Sequence, residues 1–135
     1  MTQFRLHLQL ASDTVKVLDL DLCQVLLMND QTYPWLVMVP RRDGMREMHD
    51  LLPGDQQVLM GEITAVSRAA QRLFKADKMN VAALGNMVPQ LHFHVIARYE
   101  GDPAWPGPIW GVKPALPYEA AALADTVKAI KNALS

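Results

Sequence analysis

Two histidines, His92 and His94, are separated by one residue in a stretch where polar and apolar side chains alternate. In a β-strand, successive side chains point to opposite faces, so Gln90, His92 and His94 would share one face. The apolar residues between them would share the other face and could be buried there. The pattern therefore predicts a strand that presents two imidazoles and an amide on one surface, where an imidazole can bind a metal ion or act as a nucleophile.

Metal binding is the first chemistry that this pair could perform. A His-x-His pair on a strand can direct two ring nitrogens at one zinc or iron ion. Glu100 lies near the place where a cupin-type site has a glutamate, and His7 and His49 are further candidate ligands. Cupins consist of strands alone, whereas this chain also carries two long helical patterns. The sequence therefore favours a site without a metal or other cofactor, and metal binding stays as an alternative.

Nucleophilic catalysis is the second chemistry. A neutral imidazole nitrogen can attack phosphorus at neutral pH and form a phosphoramidate intermediate. A second histidine, together with backbone amides of a turn such as Gly85 and Asn86, can donate hydrogen bonds to the phosphate oxygens. In a third interpretation, His92 and His94 only fill the solvent face of a half-exposed strand. The residues themselves leave these interpretations open.

The elements around the histidines form a pattern of short strands and two long helices. Apolar runs flank the polar turn at residues 29–34, which predicts a hairpin. Apolar residues between Val58 and Phe74 recur at helical spacing and predict one apolar helix face. This order favours an α+β fold with an antiparallel sheet. The predicted elements are a short helix at residues 10–17, strands at 20–28, 35–39, 80–84 and 88–99, a long helix that begins at Pro53, and a C-terminal helix at 117–134 with Pro117 in its first turn.

Composition limits the class of protein. The 135 residues suit one domain, residues 1–135. Lysine and arginine total 13 against 14 acidic residues, so the charge does not favour a nucleic-acid partner. The single cysteine, Cys23, favours a reducing compartment. Residues 1–5 lack a signal-peptide pattern, and no apolar run approaches the ~20 residues that cross a bilayer, so we expect a cytoplasmic protein without a membrane partner.

Residues 90–96, Gln-Leu-His-Phe-His-Val-Ile, resemble the signature of the histidine-triad (HIT) family, in which three histidines alternate with apolar residues and two apolar residues end the motif. Here Gln90 stands in the first position, and His92 and His94 stand in the second and third. Residues 29–30, 39–42 and 49–51 also match the family's order of motifs. The proline-rich segment at residues 102–111 is especially similar to a bacterial group described as diadenosine polyphosphate hydrolase-like or Hint-like. The resemblance covers most of the chain.

This resemblance implies a HIT-like α+β fold, with an antiparallel sheet of about five strands, one long helix and a C-terminal helix. It also implies a possible homodimer. The implied activity is hydrolysis or transfer at the α-phosphate of a nucleotide, a dinucleoside polyphosphate or a nucleoside phosphoramidate. His92 would attack phosphorus and form a nucleotidyl-histidine intermediate, and His94 would contact the phosphate being transferred. The reaction would need no cofactor.

The remaining site residues also follow from the resemblance. Gln90 cannot carry charge or move a proton, so we expect it to orient its neighbours. Asn86 would donate to phosphate. Asn29 or Asp30 would accept hydrogen bonds from the ribose hydroxyls, although plain hairpin-turn chemistry explains the same two residues.

Three further positions stay open at the level of sequence. His49 precedes the long helix, and we expect a structural role for it near the helix start. Trp105 and Trp110 could line the base pocket, pack on the core or meet a second subunit.

A nucleotide-binding or sensing module that lost turnover because of Gln90 is an alternative to an enzyme.

Overall fold

The structure is a computed structural model that describes residues 4–135. Residues 1–3, which begin the segment without a signal-peptide pattern, lie outside the described part. No helix between residues 4 and 135 combines the length and apolar character needed to span a membrane. In chain order the elements are α1 (Leu8–Asp13), β1 (Thr14–Asp19), β2 (Cys23–Met28), β3 (Trp35–Pro40), a 3-10 helix (Met48–Asp50), α2 (Pro53–Phe74), β4 (Lys78–Ala82), β5 (Phe93–Arg98) and α3 (Ala120–Ala133).

The strands form one five-stranded sheet in the order β1-β2-β3-β5-β4. All neighbouring strands pair antiparallel, which confirms the predicted α+β class with an antiparallel sheet. The strand β5 lies between β3 and β4. Val37 of β3 and Ala82 of β4 therefore flank His94 in the two ladders and fix its position along the sheet.

One face of the sheet is covered by α2 and α3. The buried residues of α2 recur every three or four positions, as the predicted apolar stripe requires. They pack in one core with Leu91, Phe93 and Val95, the residues that alternate with the histidines. Full burial of one such side chain stabilises the fold by ~1.5–3 kcal/mol, so this core anchors the histidine segment from behind. The stripe consists of Leu59, Ile63, Val66 and Ala70.

The opposite face is covered only in part. Leu10 of α1 packs on Leu26 and Val37, which alternate with core residues along their strands and therefore face away from α2. Further along the same face, Ile109 from the segment after β5 packs on Tyr33. The two coverings leave an open cleft between them, and this cleft contains the candidate site.

Several predicted boundaries were wrong. The strands predicted at residues 20–28 and 80–84 cover Cys23–Met28 and Lys78–Ala82. The predicted helix at residues 10–17 ends at Asp13, because Thr14 and the valines after it favour β-structure and pair with β2. The predicted strand at residues 88–99 covers only Phe93–Arg98. Pro89 lacks the N–H that a ladder needs, and the N–H of Leu91 donates to the carbonyl of Met45 rather than to a neighbouring strand. The C-terminal helix begins at Ala120 rather than at residue 117.

A buried ion pair holds the loop that follows β5. The guanidinium of Arg98 donates to both carboxylate oxygens of Asp102, at 2.8 and 3.0 Å, and a third donor bonds Asn80 at 2.7 Å. The two charged side chains are only 1% and 5% exposed. The hydrogen bond from Arg98 lowers the pKa of Asp102 to about 2. The pair therefore joins β4, β5 and the loop over residues 99–110.

This ion pair predicts how stability depends on pH. Because folding lowers the pKa of Asp102 below its unfolded value of ~3.9, its contribution is complete above that value and is lost as pH falls towards about 2. Asp102→Asn leaves the Arg98 charge buried without its partner, so we expect a loss of about 3–5 kcal/mol in the free energy of unfolding at pH 7. Urea unfolding between pH 7 and pH 3 measures both effects.

The exposed pair between Lys16 and Asp19 provides the control. Asp19→Asn should change the free energy of unfolding by less than about 1 kcal/mol, since exposed pairs contribute little. If Asp102→Asn kept the wild-type stability at pH 7 and the same decline in acid, the buried pair would have no such role.

Candidate active site

The cleft on the open face of the sheet has a volume of about 710 Å³. A volume in this range fits a ligand the size of a nucleotide. The cleft walls come from α1, from the β2–β3 turn, from the turn before β5 and from the loop after it. Its lining includes Ser12, Asp13, Asn29, Asp30, Trp35, Asn86, His92, His94 and Trp110.

His92 lies one residue before β5 and is 6% exposed. Its Nδ1 is 2.6 Å from the backbone carbonyl oxygen of Gln90. A carbonyl oxygen can only accept a hydrogen bond, so Nδ1 carries a proton and, in the neutral ring, Nε2 keeps its lone pair. This tautomer is the one that an imidazole nucleophile needs.

His94 has the opposite tautomer. The indole nitrogen of Trp35 donates to Nδ1 of His94 at 3.0 Å, and because an indole only donates, the proton of His94 lies on Nε2. Burial, together with the neighbouring His92, lowers the pKa of His94 to about 4. His94 is therefore a neutral hydrogen-bond donor at pH 7. Its ring centroid lies 5.0 Å from that of His92, so one group can contact both.

The two tryptophans in the loop after β5 have different positions. Trp110 lines the cleft and contacts His94 edge-on, with ring centroids 5.0 Å apart. A second edge contact joins Trp110 to Trp35 at 6.1 Å. Trp105 instead lies 5.7 Å from the guanidinium of Arg98, outside the cleft lining. Trp110 thus adds an aromatic wall, on which a flat ring can stack.

The side chain of Gln90 does not line the cleft. Its oxygen accepts from the backbone N–H of His7 and its nitrogen donates to the carbonyl of Arg5, both at 2.8 Å. These bonds connect the histidine segment to the chain that enters α1, whose Leu10 and Asp13 form part of the cleft wall. Gln90 therefore acts on the site in two ways. Its backbone carbonyl bonds His92, and its side chain holds the segment that leads into α1, which forms part of the cleft wall.

Asn29 and Asp30 line the cleft and also hold the C-terminal segment. The Asn29 side-chain oxygen accepts from the N–H of Tyr118 at 3.0 Å. Oδ1 of Asp30 accepts from Thr32 at 3.0 Å and from Leu116 at 3.2 Å. The first of these two contacts is ordinary turn chemistry, as the sequence allowed. Within residues 4–135, Oδ2 of Asp30 makes no hydrogen bond and so keeps its capacity to accept one.

Asn86 lies on the exposed turn between β4 and β5, at the rim of the cleft. The preceding Gly85 has a φ of 72°, a backbone conformation that other residues adopt only with strain. This glycine permits the sharp turn that brings the chain back to His92. The structure thus brings Asn86, Asn29, Asp30, His92 and His94 to one cleft.

The ligand set of a metalloenzyme is not assembled around the histidines. Among residues 4–135, no three His, Cys, Asp or Glu side chains come together in positions to hold a metal ion. His7 caps α1, where its Nδ1 accepts from Gln9 at 3.0 Å. His49 lies in the 3-10 helix just before α2, as expected of a residue near the helix start.

Comparison with known proteins identifies this arrangement. A protein-family model for the HIT domain matches residues 9–101. The chain belongs to the histidine triad family. A search of curated protein sequences found no match.

Three solved histidine triad proteins are similar over nearly their whole lengths. The one from Marinobacter aquaeolei VT8 is 52% identical, covers 98% of this chain and 97% of its own, and has a TM-score of 0.96. The one from Bradyrhizobium japonicum is 46% identical, with coverages of 99% and 100% and a TM-score of 0.96. The one from Sinorhizobium meliloti 1021 is 43% identical, with coverages of 96% and 96% and a TM-score of 0.93. These similarities confirm the HIT-like fold.

The role of Trp35 in this HIT site was not predicted from the sequence. Trp35 was predicted only as the first residue of a strand, yet its indole fixes the tautomer of His94. The contact depends on the pairing of β3 with β5, which places Trp35 opposite Ile96. A polar-tipped aromatic residue at the start of an apolar strand was the available signal, because a buried indole N–H requires an acceptor.

Proposed function

We propose that this HIT protein hydrolyses or transfers nucleotides by attack of His92 on the α-phosphorus. Family membership indicates nucleotide binding, with hydrolase or transferase chemistry in many members and binding alone in some. The observation that favours catalysis is the pair of opposite tautomers in one cleft. His92 offers a free nitrogen, and His94 offers an N–H donor.

The proposed reaction has two displacements at phosphorus. In the first, a bond forms between Nε2 of His92 and phosphorus, and the bond from phosphorus to the oxygen or nitrogen of the leaving group breaks. In the second, the oxygen of water bonds to phosphorus, the N–P bond breaks with its electrons returning to Nε2, and a nucleoside monophosphate is released. The proton that water loses balances the proton that the departing amine or oxygen takes up from solvent. Covalent catalysis of this kind divides one difficult displacement into two easier ones.

Two neighbours stabilise the charges of the first step. The imidazole of His92 becomes cationic when it bonds to phosphorus, and the Gln90 carbonyl accepts its Nδ1–H. The N–H of His94 donates to a non-bridging phosphate oxygen, and the Trp35 indole keeps that donor in place. Asn86 adds a donor at the rim of the cleft. Such preorganised donors act on the charge that develops in the transition state.

The nucleoside would occupy the rest of the cleft. Trp110 provides a ring face for the base, and Oδ2 of Asp30 accepts from a ribose hydroxyl. Oδ1 of Asp30 stays bonded to Thr32 and Leu116, so its carboxylate is already oriented before the ligand binds. A preoriented acceptor loses little side-chain entropy when it binds.

Gln90 acts as a positioning residue in this proposal. Gln90→Ala removes both hydrogen bonds to the N-terminal segment, so we expect KM to rise by roughly three- to tenfold while kcat changes less. Gln90→His should raise KM in the same direction and add a titrating group to the pH profile. Steady-state kinetics from pH 5 to pH 9 measure both. Gln71→Ala, on the exposed side of α2, is the control and should leave KM unchanged. Unchanged turnover and an unchanged pH profile in Gln90→His would contradict the positioning role of Gln90.

A fluorogenic adenosine phosphoramidate tests the function itself. We expect binding followed by release of the fluorescent amine and AMP. Tryptophan fluorescence reports binding separately, because Trp35 and Trp110 line the cleft. Binding without release would replace the enzyme by the alternative, a nucleotide-binding or sensing module.

We also propose that two copies pair through the sheet edge at β4. This strand ends the described sheet, and its Val81 is exposed. Unpaired edges favour strand addition, and closed two-fold pairing satisfies them. Sedimentation velocity tests the dimer, and a monomer at micromolar concentration would contradict it.

A further inference from the structure

A second cavity, of about 240 Å³, adjoins the candidate active site. It shares Leu84, Gly85 and His92 with the larger cleft. Its other walls come from residues 46–49, which precede α2, and from Ala83 and Leu91. His92 therefore borders two spaces, and the larger one already has the aromatic and ribose-binding groups proposed for a nucleoside site.

A basic residue, Arg46, is part of the lining of the second cavity. Within residues 4–135 the Arg46 guanidinium forms no ion pair. His49 adds a second nitrogen-bearing side chain, and Glu47 is the one acidic residue in the lining. The nearby Asp50 carboxylate accepts the backbone N–H groups of Arg46 and Glu47, at 3.1 and 2.9 Å, which compensates part of its charge.

The space beyond this cavity leaves room for a group larger than one phosphate. A groove of about 510 Å³ lies beside it, and Met48 and His49 line both spaces. Pro53, Gln56 and Met60 of α2 line the groove. A substrate whose phosphorus lies beside His92 can therefore extend in two directions, into the nucleoside cleft and past Arg46.

We propose that this second cavity binds the leaving group, and that Arg46 favours leaving groups with anionic oxygens. The inference rests on the proposed function. A guanidinium binds phosphate or carboxylate oxygens through paired N–H donors, and both groups share that chemistry. Arg46 thus sets specificity by stabilising the negative charge that departs from phosphorus, while His92 and His94 act on the phosphorus itself.

Three adenosine substrates that yield the same AMP moiety test the proposal. The unsubstituted phosphoramidate has a small neutral leaving group, ADP has phosphate, and the phosphoramidate of glycine has a carboxylate. In wild-type protein, kcat/KM should be higher for the anionic leaving groups. In Arg46→Gln, the ratio of anionic to neutral kcat/KM should fall about tenfold, and in Arg46→Glu further. The arm that falls identifies phosphate or carboxylate as the natural group.

Arg68→Gln provides the matched control, because Arg68 is an exposed arginine of α2 outside both cavities. It should leave the ratio unchanged. If Arg46→Gln lowered kcat/KM equally for all three substrates, or changed it for none, the leaving-group assignment would be wrong. Turnover by the wild-type protein would still support the proposed function in that case. If the wild-type protein converts none of the three substrates, the proposed function is wrong. Calorimetry with pyrophosphate then tests the anion subsite alone. Binding to Arg46→Gln that is about tenfold weaker than to the wild type supports the subsite, and equal binding refutes it.

Discussion

His92→Ala is expected to reduce kcat/KM by on the order of 10⁴-fold or more. The substitution removes the nitrogen that we propose forms the covalent bond, and removal of a covalent nucleophile leaves only the catalysis supplied by binding and by the remaining donors. Substrate binding should weaken far less, because Trp110 and Asp30 still line the cleft. Stopped-flow kinetics and an equilibrium titration of tryptophan fluorescence measure the two quantities separately.

His92→Asn is the companion variant. It fills more of the site than alanine, and its amide can still donate to the Gln90 carbonyl, so a loss of activity in both variants is not due to a cavity. Thermal unfolding checks that each variant folds. Retention of more than about a tenth of wild-type kcat in either folded variant would exclude His92 as the attacking group.

His94→Ala should reduce kcat by about 10²–10³-fold, the usual effect of losing one donor to a developing phosphate charge. Trp35→Phe keeps His94 but removes the donor to its Nδ1, so both tautomers become accessible. We expect a smaller loss, roughly tenfold, in that variant. A lower kcat in His94→Ala than in Trp35→Phe would support the idea that the indole acts through His94. Equal losses of kcat in the two variants would contradict it.

The dependence of kcat on pH provides a second test of the contact between Trp35 and His94. Burial lowers the pKa of His94 to about 4, so the neutral donor persists from pH 8 down to about pH 5 and protonates below that. Protonated Nδ1 would face the Trp35 N–H, with two donors in opposition, so kcat should fall as pH drops below about 5. In Trp35→Phe this opposition is absent, so the loss of kcat below about pH 5 should be smaller than in the wild type. An equal loss would show that the indole does not control His94.

The low pKa of His94 also affects stability. The unfolded chain binds a proton at His94 near pH 6.5, whereas the folded protein binds it only near pH 4. The contribution of neutral His94 is therefore complete above pH 6.5 and declines as pH falls between those values. This decline begins at a higher pH than that from Asp102, so the two can be separated in one pH series.

Local patterns in the sequence were sufficient to predict the strand β5 and the segment that leads into it. The alternation from Leu91 to Val95 puts each apolar residue into the core beneath α2 and each histidine into the cleft, although Pro89 delays the start of β5. The stripe of α2 was predictable for the same reason, since a single face of the helix is buried. Both are properties of one element and need no knowledge of distant contacts.

The rest of the site depends on pairings that are remote in sequence. Gln90 bonds the chain near His7, and Asp30 bonds Leu116, so neither side chain could be placed from its neighbours. Trp35 meets His94 only because β5 pairs with β3 across the inserted α2 and β4. The helix predicted over residues 10–17 failed similarly, because tertiary pairing with β2 decided the conformation from Thr14 onward.

The most direct test of the account is to detect the covalent intermediate. Wild-type protein is mixed with an adenosine phosphoramidate, denatured within milliseconds at neutral pH to preserve an N–P bond, and weighed intact by mass spectrometry. We expect the added mass of one AMP, located on the peptide that contains His92, and no added mass in His92→Ala. An adduct that persists in His92→Ala, or rapid turnover without any adduct in wild type, would contradict the assignment of His92 as the nucleophile.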